Sequence, residues 1–135
     1  MTKIYREKRS WKTRRDRKAK RIEQLERIAK GKMIPTEKIV EALEAVIFPG
    51  DRVVIEGNNQ KQASFLSKAL SQVRSEKVNE LHIIMSSVSR PEHLDLFEKG
   101  IARKIDFSYA GPQSLRMSQM LEDGKLVVGE IHTYL

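Results

Sequence analysis

The chain has 135 residues, no cysteine, and a formal net charge of +8 from 26 Lys and Arg against 18 Asp and Glu. This length suits one domain with a hydrophobic core. The lack of cysteine excludes disulfides, thiolate nucleophiles and thiolate metal sites. No apolar run approaches the roughly 18 residues of a membrane span, and the basic N-terminus lacks the apolar segment of a secretory signal. Composition therefore predicts a cytoplasmic protein without membrane contact.

The positive charge is confined to the first quarter of the chain. Residues 1–32 contain 14 Lys and Arg and 4 Asp and Glu, whereas residues 33–135 contain 12 and 14. We therefore divide the chain into a basic segment, 1–32, partly helical or disordered, and an α/β domain, 33–135. Residues 1–10 are expected to be disordered. The basic segment suits either nucleic-acid phosphates or an acidic partner, such as an acyl carrier protein or another subunit. It contains no base-reading motif, which makes nucleic acid the less favoured partner.

Helical periodicity appears first inside the basic segment. Ile22, Leu25 and either Ile28 or Ala29 recur at helical spacing, and Gly31 is the predicted stop. Pro35-Thr36 opens a second helix, which Pro49-Gly50 ends. The remaining helices are predicted to start near Asn59, at Pro91 behind a capping box of Ser89 and Glu92, and at Gly111-Pro112. In the helix that starts near Asn59, the residues predicted to face the core are Phe65, Leu66, Ala69, Leu70 and Val73. In the helix that starts at Gly111-Pro112, they are Leu115, Met117, Met120 and Leu121.

Strands are predicted in the gaps between these helices, at 51–56, 81–85, 105–109 and 126–131. Alternating strands and helices of these lengths indicate right-handed βαβ units. Unbroken apolar strands such as LHIIM (81–85) favour a mostly parallel sheet with helices on both faces. The fold class is therefore α/β, preceded by a basic N-terminal helix. Because the alternation stops at a strand, we expect the chain to be the N-terminal portion of a longer protein.

The loop GNNQ, which follows the first strand, is the first candidate for chemistry. In parallel sheets ligands bind at the carboxyl ends of strands. Gly57 would allow a sharp turn with positive φ, and the following N–H groups would face an anion or a carbonyl oxygen at a helix N-terminus. The Asn58 and Asn59 amides could stabilise an oxyanion. The alternative is structural, with Asn59 as a helix N-cap and Asn58 as a left-handed residue. The loop matches no dinucleotide or NTPase phosphate motif.

The other polar residues give weaker indications. His82 is expected in the core or an interface, His93 on a solvated helix face, and His132 near a strand end from which it could reach a pocket. Their spacing predicts no metal site. Glu56 could orient the loop or pair with a lysine.

Four long motifs together resemble the malonate decarboxylase alpha subunit family: WKTRRDRKAKRI, GDRVVIEGNNQKQASFL, PEHLDLFEKGIARKIDFSYAGPQ and GEIHTYL. The family is similar to the coenzyme A transferases, whose α/β halves contain mostly parallel sheets. The resemblance implies a transferase that exchanges acetyl for malonyl on the thiol of a carrier subunit, before other subunits decarboxylate the malonyl thioester. The implied thiol belongs to a dephospho-CoA-type prosthetic group, and no cofactor bound tightly by this chain is implied.

The resemblance also implies which residues bind substrate. Gly57, Asn58, Asn59 and Gln60 match the first strand-to-helix loop, which in such folds approaches the thioester. Gly111, Pro112 and Gln113 match the loop after the third strand. Related coenzyme A transferases attack with a glutamate from a later part of the fold, so this chain alone is expected to be inactive. The competing interpretation is a non-enzymatic α/β module with a basic tail, which binds nucleic acid or a phosphorylated small molecule.

Overall fold

The computed structural model describes residues 10–57 and 61–131. Four strands alternate with helices in chain order, as predicted. The helices are α1 Trp11–Glu26, α2 Ile39–Val46, α3 Ser64–Leu70, α4 Pro91–Glu98 and α5 Ser114–Glu122, with short 3-10 turns at Thr36–Lys38 and Gly111–Gln113. The strands are β1 Arg52–Ile55, β2 Leu81–Met85, β3 Ala102–Phe107 and β4 Val127–Ile131. None of the described helices is long and apolar enough to cross a membrane.

The four strands form one parallel sheet in the order β1-β2-β3-β4. This confirms the α/β class and the parallel arrangement. With strands in sequential order, right-handed crossovers place α3, α4 and α5 on the same face. Apolar residues from all three helices and from alternate strand positions accordingly form one buried cluster, which includes Leu70, Ile83, Leu94, Ile105 and Met117.

The described helices therefore cover one face of the sheet, and the prediction of helices on both faces is wrong for this part of the chain. The register aligns Val54 with Ile84 and Asp106 on the opposite face. Val54 is 74% exposed there. Helices were predicted on both faces because the strands are apolar on both faces. The order of the strands, which the sequence does not reveal, decides which face the helices cover.

Several predicted boundaries and faces also need correction. Helix α1 ends at Glu26, and Gly31 lies in the turn between Lys30 and Met33 instead of ending the helix. Strand β3 begins three residues before the predicted position. Two pairs of predicted core residues are substantially exposed: Phe65 and Leu66 in α3, and Leu115 and Leu121 in α5.

Helix α1 has no buried residue and is held to the domain near its C-terminal end. The Arg21 guanidinium contacts both carboxylate oxygens of Asp51, at 3.0 and 2.8 Å, and lies over the Phe48 ring at 4.4 Å. Asp51 also accepts a hydrogen bond from the Phe48 N–H at 2.9 Å. This clamp connects the basic helix to the start of β1.

Candidate functional site

The carboxyl ends of β1, β2 and β3 meet in a continuous hydrogen-bonded edge. The carbonyl oxygen of Gly57 accepts hydrogen bonds from the Ser87 N–H, at 3.1 Å, and from the Ser86 hydroxyl. The Ser86 carbonyl in turn accepts from the Tyr109 N–H at 3.0 Å, and the Val88 N–H donates to the Tyr109 carbonyl at 2.9 Å. Gly57 and the segment leading to Gly111 therefore belong to one edge, which we call the carboxyl edge.

Gly57 is required there for close approach and not for a turn. Its φ is not positive, so the predicted sharp turn with positive φ is wrong. A Cβ at this position would lie 3.2 Å from the Ser87 carbonyl oxygen and 3.5 Å from Cε1 of His93. An added Cβ would therefore press on the backbone at Ser87, just after β2, and would lie in contact with a buried ring.

The loop after Gly57 leads into α3 later than the sequence suggested. Helix α3 begins at Ser64 and not near Asn59, and it has only seven residues. The predicted start of a helix near Asn59 is therefore wrong. So is an N-cap role for Asn59 on α3, since the N-cap is Ala63. The candidate donors Asn58 and Asn59 and the candidate Gln60 lie outside the described residues.

The loop closes on itself before α3. Gly57 and Gln62 form an antiparallel bridge, and the Ala63 N–H donates to the Glu56 carbonyl at 3.1 Å. The side chain of Glu56 is exposed. Among the described residues, the Glu56 carboxylate forms no hydrogen bond that would hold the loop.

The second candidate loop, after β3, contains a glycine with positive φ. Gly111 has a φ of +55°, and a Cβ there would lie 3.2 Å from Cε1 of Tyr109. Pro112 and Gln113 complete the 3-10 turn that precedes α5, and the Gln113 N–H donates to the Ala110 carbonyl at 3.3 Å. Pro112 is exposed, whereas Gly111 and Gln113 are half-buried.

His93 lies beneath the carboxyl edge and not on a solvated face. Its side chain is buried, with Nε2 3.4 Å from the Ser67 hydroxyl and Nδ1 accepting from the Arg90 N–H at 3.4 Å. Arg90, and not Ser89, is the N-cap of α4. Burial lowers the pKa of His93; Glu92 opposes and Arg90 reinforces that change. Burial therefore favours the neutral imidazole, whose Nδ1 accepts from the Arg90 N–H.

Two serine hydroxyls near this edge were not predicted to be part of the candidate site. The hydroxyls of Ser87 and Ser89 are buried and have no hydrogen-bond partner among the described residues. Buried polar groups normally have partners, so these hydroxyls can accept or donate to a group that enters the edge. Their sequence signal is only that three serines follow a buried strand.

His82 lies on the uncovered face of the sheet and not in the core. Its Nε2 is 2.7 Å from the Asp106 carboxylate, a close polar contact without the alignment of a good hydrogen bond. Burial alone would raise the pKa of Asp106, but the Glu130 N–H, His82 and Lys104 together lower it. Gly129 provides the space for this carboxylate, since a Cβ there would collide with Asp106 Oδ1. His132 lies outside the described residues.

Comparison with known proteins identifies relatives over nearly the whole chain. The family model described as "Malonate decarboxylase, alpha subunit, transporter" matches residues 10–135. The chain is 53% identical over 104 residues to the acetyl-S-ACP:malonate ACP transferase of Malonomonas rubra, covering 77% of this chain and 19% of that protein.

Two solved structures have the same fold. The alpha subunit of a malonate decarboxylase from Acinetobacter baumannii has a TM-score of 0.90 at 58% identity. A Pseudomonas malonate decarboxylase hetero-tetramer in complex with malonate gives 0.89 at 61% identity. The alignments cover 93% and 92% of this chain but only 23% of each solved chain. The chain thus spans about a fifth to a quarter of its relatives, and it belongs to the malonate decarboxylase alpha subunit family.

Proposed function

We propose that this chain forms part of an acyl-carrier transferase, which exchanges acetyl for malonyl on the thiol of a carrier protein as the first step of malonate decarboxylation. The observation that favours this function is the identity of 53% to a transferase named for this exchange. The geometry is compatible with it, because Gly57 and Gly111 lie along the same carboxyl edge. Such an edge is where parallel sheets bind ligands.

The net reaction converts an acetyl thioester and malonate into a malonyl thioester and acetate. A carboxylate of the enzyme attacks the acetyl thioester, the C–S bond breaks, and a mixed anhydride and a thiolate form. The thiolate then displaces acetate from the anhydride, leaving the carrier as a thioester of the enzyme carboxylate. Malonate attacks that thioester to give the malonyl anhydride and releases the thiolate. In the last step the thiolate takes the malonyl group and frees the carboxylate.

Each step passes through a tetrahedral oxyanion. Donors fixed at the site of negative charge stabilise such intermediates, and one donor is typically worth about 3–4 kcal/mol. We assign this role to the Asn58 and Asn59 amides, with Gly57, Gln60, Gly111, Pro112 and Gln113 lining the substrate site. No carboxylate of this chain is assigned as the attacking group; Glu56 is exposed and is not given that role. The chain alone is accordingly expected to be inactive.

We further propose that the thiol belongs to a dephospho-CoA-type prosthetic group on an acyl carrier subunit, and that decarboxylase subunits complete the complex. The hetero-tetramer of the Pseudomonas relative supports a multi-subunit assembly. The basic helix α1 supports an acidic partner, because Arg14, Arg17, Lys18 and Arg21 line one groove along it. Charged surfaces of this kind favour fast and reversible association, as a carrier that visits at each turnover requires.

The experiment is an exchange assay on the full-length subunit. Acetylated carrier and labelled malonate are supplied to the wild type, to Asn58→Ala and to Asn59→Ala. We expect exchange by the wild type, and a rate lowered roughly ten- to a thousand-fold in each variant with the fold intact by circular dichroism. Unchanged rates in both variants would remove the amides from the mechanism. No exchange by the wild type, together with duplex DNA binding at physiological salt, would favour the nucleic-acid module instead.

A further inference from the structure

Arg90 connects the end of the loop after β1 to the start of the helix that follows β2. Its backbone is extended, with φ −113° and ψ 145°, and it precedes the first residue of α4. The guanidinium donates from Nε to the Gln62 side-chain oxygen and from Nη2 to the Ser64 hydroxyl at 2.9 Å. Gln62 is the bridge partner of Gly57, and Ser64 is the first residue of α3. Arg90 therefore contacts the residues at which the loop closes.

Arg90 also contacts His93, the buried residue that lies against Gly57. The Arg90 N–H donates to Nδ1 of His93. The His93 ring is buried, and its Cε1 lies 3.5 Å from the position that a Cβ of Gly57 would occupy. The backbone of Arg90 thus contacts His93, while its side chain contacts Gln62 and Ser64 at the end of the loop.

These contacts are poorly explained by stability alone. Arg90 is exposed, and exposed polar contacts add little to folding because water replaces them readily. Its two described side-chain partners are neutral, and no ion pair found among the described residues includes it. A planar guanidinium with donors in a fixed fork can hold two acceptors at a defined separation, which a lysine cannot do.

We propose that Arg90 is a positioning residue for acyl exchange. It holds Gln62 and Ser64 in place and thereby keeps Gly57, the bridge partner of Gln62, at the carboxyl edge. This inference rests on the proposed function. It assigns Arg90 no contact with substrate. Since displacement of a catalytic group by about 1 Å can lower a rate on the order of a hundred-fold, an exposed residue that sets the loop position can have a large kinetic effect.

The test compares Arg90→Met with Arg90→Lys and with a matched control, Arg103→Met, in the full-length subunit. Arg103 is also an exposed arginine that donates to a loop, from Nη1 to the Gly124 carbonyl at 2.7 Å, but it lies away from the carboxyl edge. For Arg90→Met we expect kcat to fall about ten- to a hundred-fold. The KM for malonate and the KM for the acetylated carrier should stay within about twofold. The control should stay within about twofold in every constant, and Arg90→Lys should recover little of the loss, because one ammonium cannot span both acceptors.

A second readout separates positioning from a general loss of structure. Amide hydrogen exchange across 56–64 should accelerate in Arg90→Met, whereas exchange across 102–107 should match the wild type. Equal kcat values for Arg90→Met and the control, in a wild type that does exchange, would overturn this inference alone. A raised KM for malonate with unchanged kcat would also overturn it, because Arg90 would then bind substrate directly. Absence of exchange by the wild type would overturn the proposed function and this inference with it.

Discussion

The loops after β1 and β3 each place a glycine at the carboxyl edge, but the two glycines satisfy different constraints. Gly57 has no positive φ and lies where a Cβ would press on the Ser87 carbonyl oxygen, at 3.2 Å. Gly111 has a φ of +55°, a backbone conformation that disfavours a side chain whatever the space. Gly57 is limited by neighbouring backbone, which cannot easily move. Gly111 is limited mainly by its own φ, since its close neighbour is the exposed Tyr109 side chain, at 3.2 Å. The difference teaches that similar glycines in sequence call for different substitutions as tests.

The largest effect is expected at Gly57. In Gly57→Val the added side chain must displace the backbone at Ser87, just after β2, or the His93 ring. This overpacking should lower the free energy of unfolding by about 1–3 kcal/mol. We expect exchange by the full-length subunit to fall about a hundred-fold, because the loop moves with Gly57. Gly57→Ala should be intermediate in both stability and rate. Equal values for alanine and valine would show that contact with Ser87 and His93 does not limit this position.

A smaller effect is expected at Gly111, with a different ranking of substituents. Gly111→Ala should lower the free energy of unfolding by about 1–2 kcal/mol, the cost of a left-handed conformation. Gly111→Asn should cost less, since asparagine tolerates that conformation better. Urea unfolding of the three proteins measures the order. If alanine proved as stable as asparagine, positive φ would not be the constraint at Gly111, and the contrast with Gly57 would disappear.

The smallest effect on exchange is expected from an ion pair remote from both loops. Glu44 is largely buried, receives hydrogen bonds from the Arg74 side chain and N–H, and lies 3.2 Å from Nζ of Lys77. Hydrogen bonds from Arg74 outweigh burial and lower the pKa of Glu44 from 4.5 to about 2. Glu44→Gln should lower the free energy of unfolding at pH 7 by about 1–2 kcal/mol, with exchange unchanged.

The pH dependence of that loss has a defined sign. Because the folded-state pKa is below the unfolded value, the stabilisation is fully present above about pH 4.5 and disappears as the pH falls towards 2. Wild type and Glu44→Gln should therefore converge in stability between these two values. Glu41→Gln is the control, since Glu41 is exposed and, among the described residues, its ion pair is with Lys38, three residues away. A difference between wild type and Glu44→Gln that persisted at pH 2 would contradict the ion-pair explanation.

Much of the fold could be predicted from local patterns. The alternation of apolar runs and helical spacing indicated βαβ units, and β2 was predicted at its observed bounds. The covered face could not be predicted, because Val54 and Ile84 look like core residues until strand order places them opposite the helices. The predicted start of β3, at residue 105, is three residues too late, because the charged residues Arg103 and Lys104 do not resemble a buried strand.

The site could be predicted only in part. Small residues at strand ends indicated the carboxyl edge, since parallel strands end together. His93 was misjudged because its neighbours Glu92 and Asp95 suggest a solvated face, whereas the third position of α4 faces the loop after β1. The contact between Arg90 and Gln62 spans 28 residues, and no local pattern contains it.

The most direct test of the account is the position of the acyl group in a crystal structure of the full-length subunit with a non-hydrolysable acetyl-thioether analogue of the carrier's prosthetic group. The account predicts the acyl carbonyl oxygen at the carboxyl edge, within about 3.5 Å of a donor from the loop that follows Gly57. An acyl group bound on the uncovered face of the sheet, beside His82 and Asp106, would contradict it.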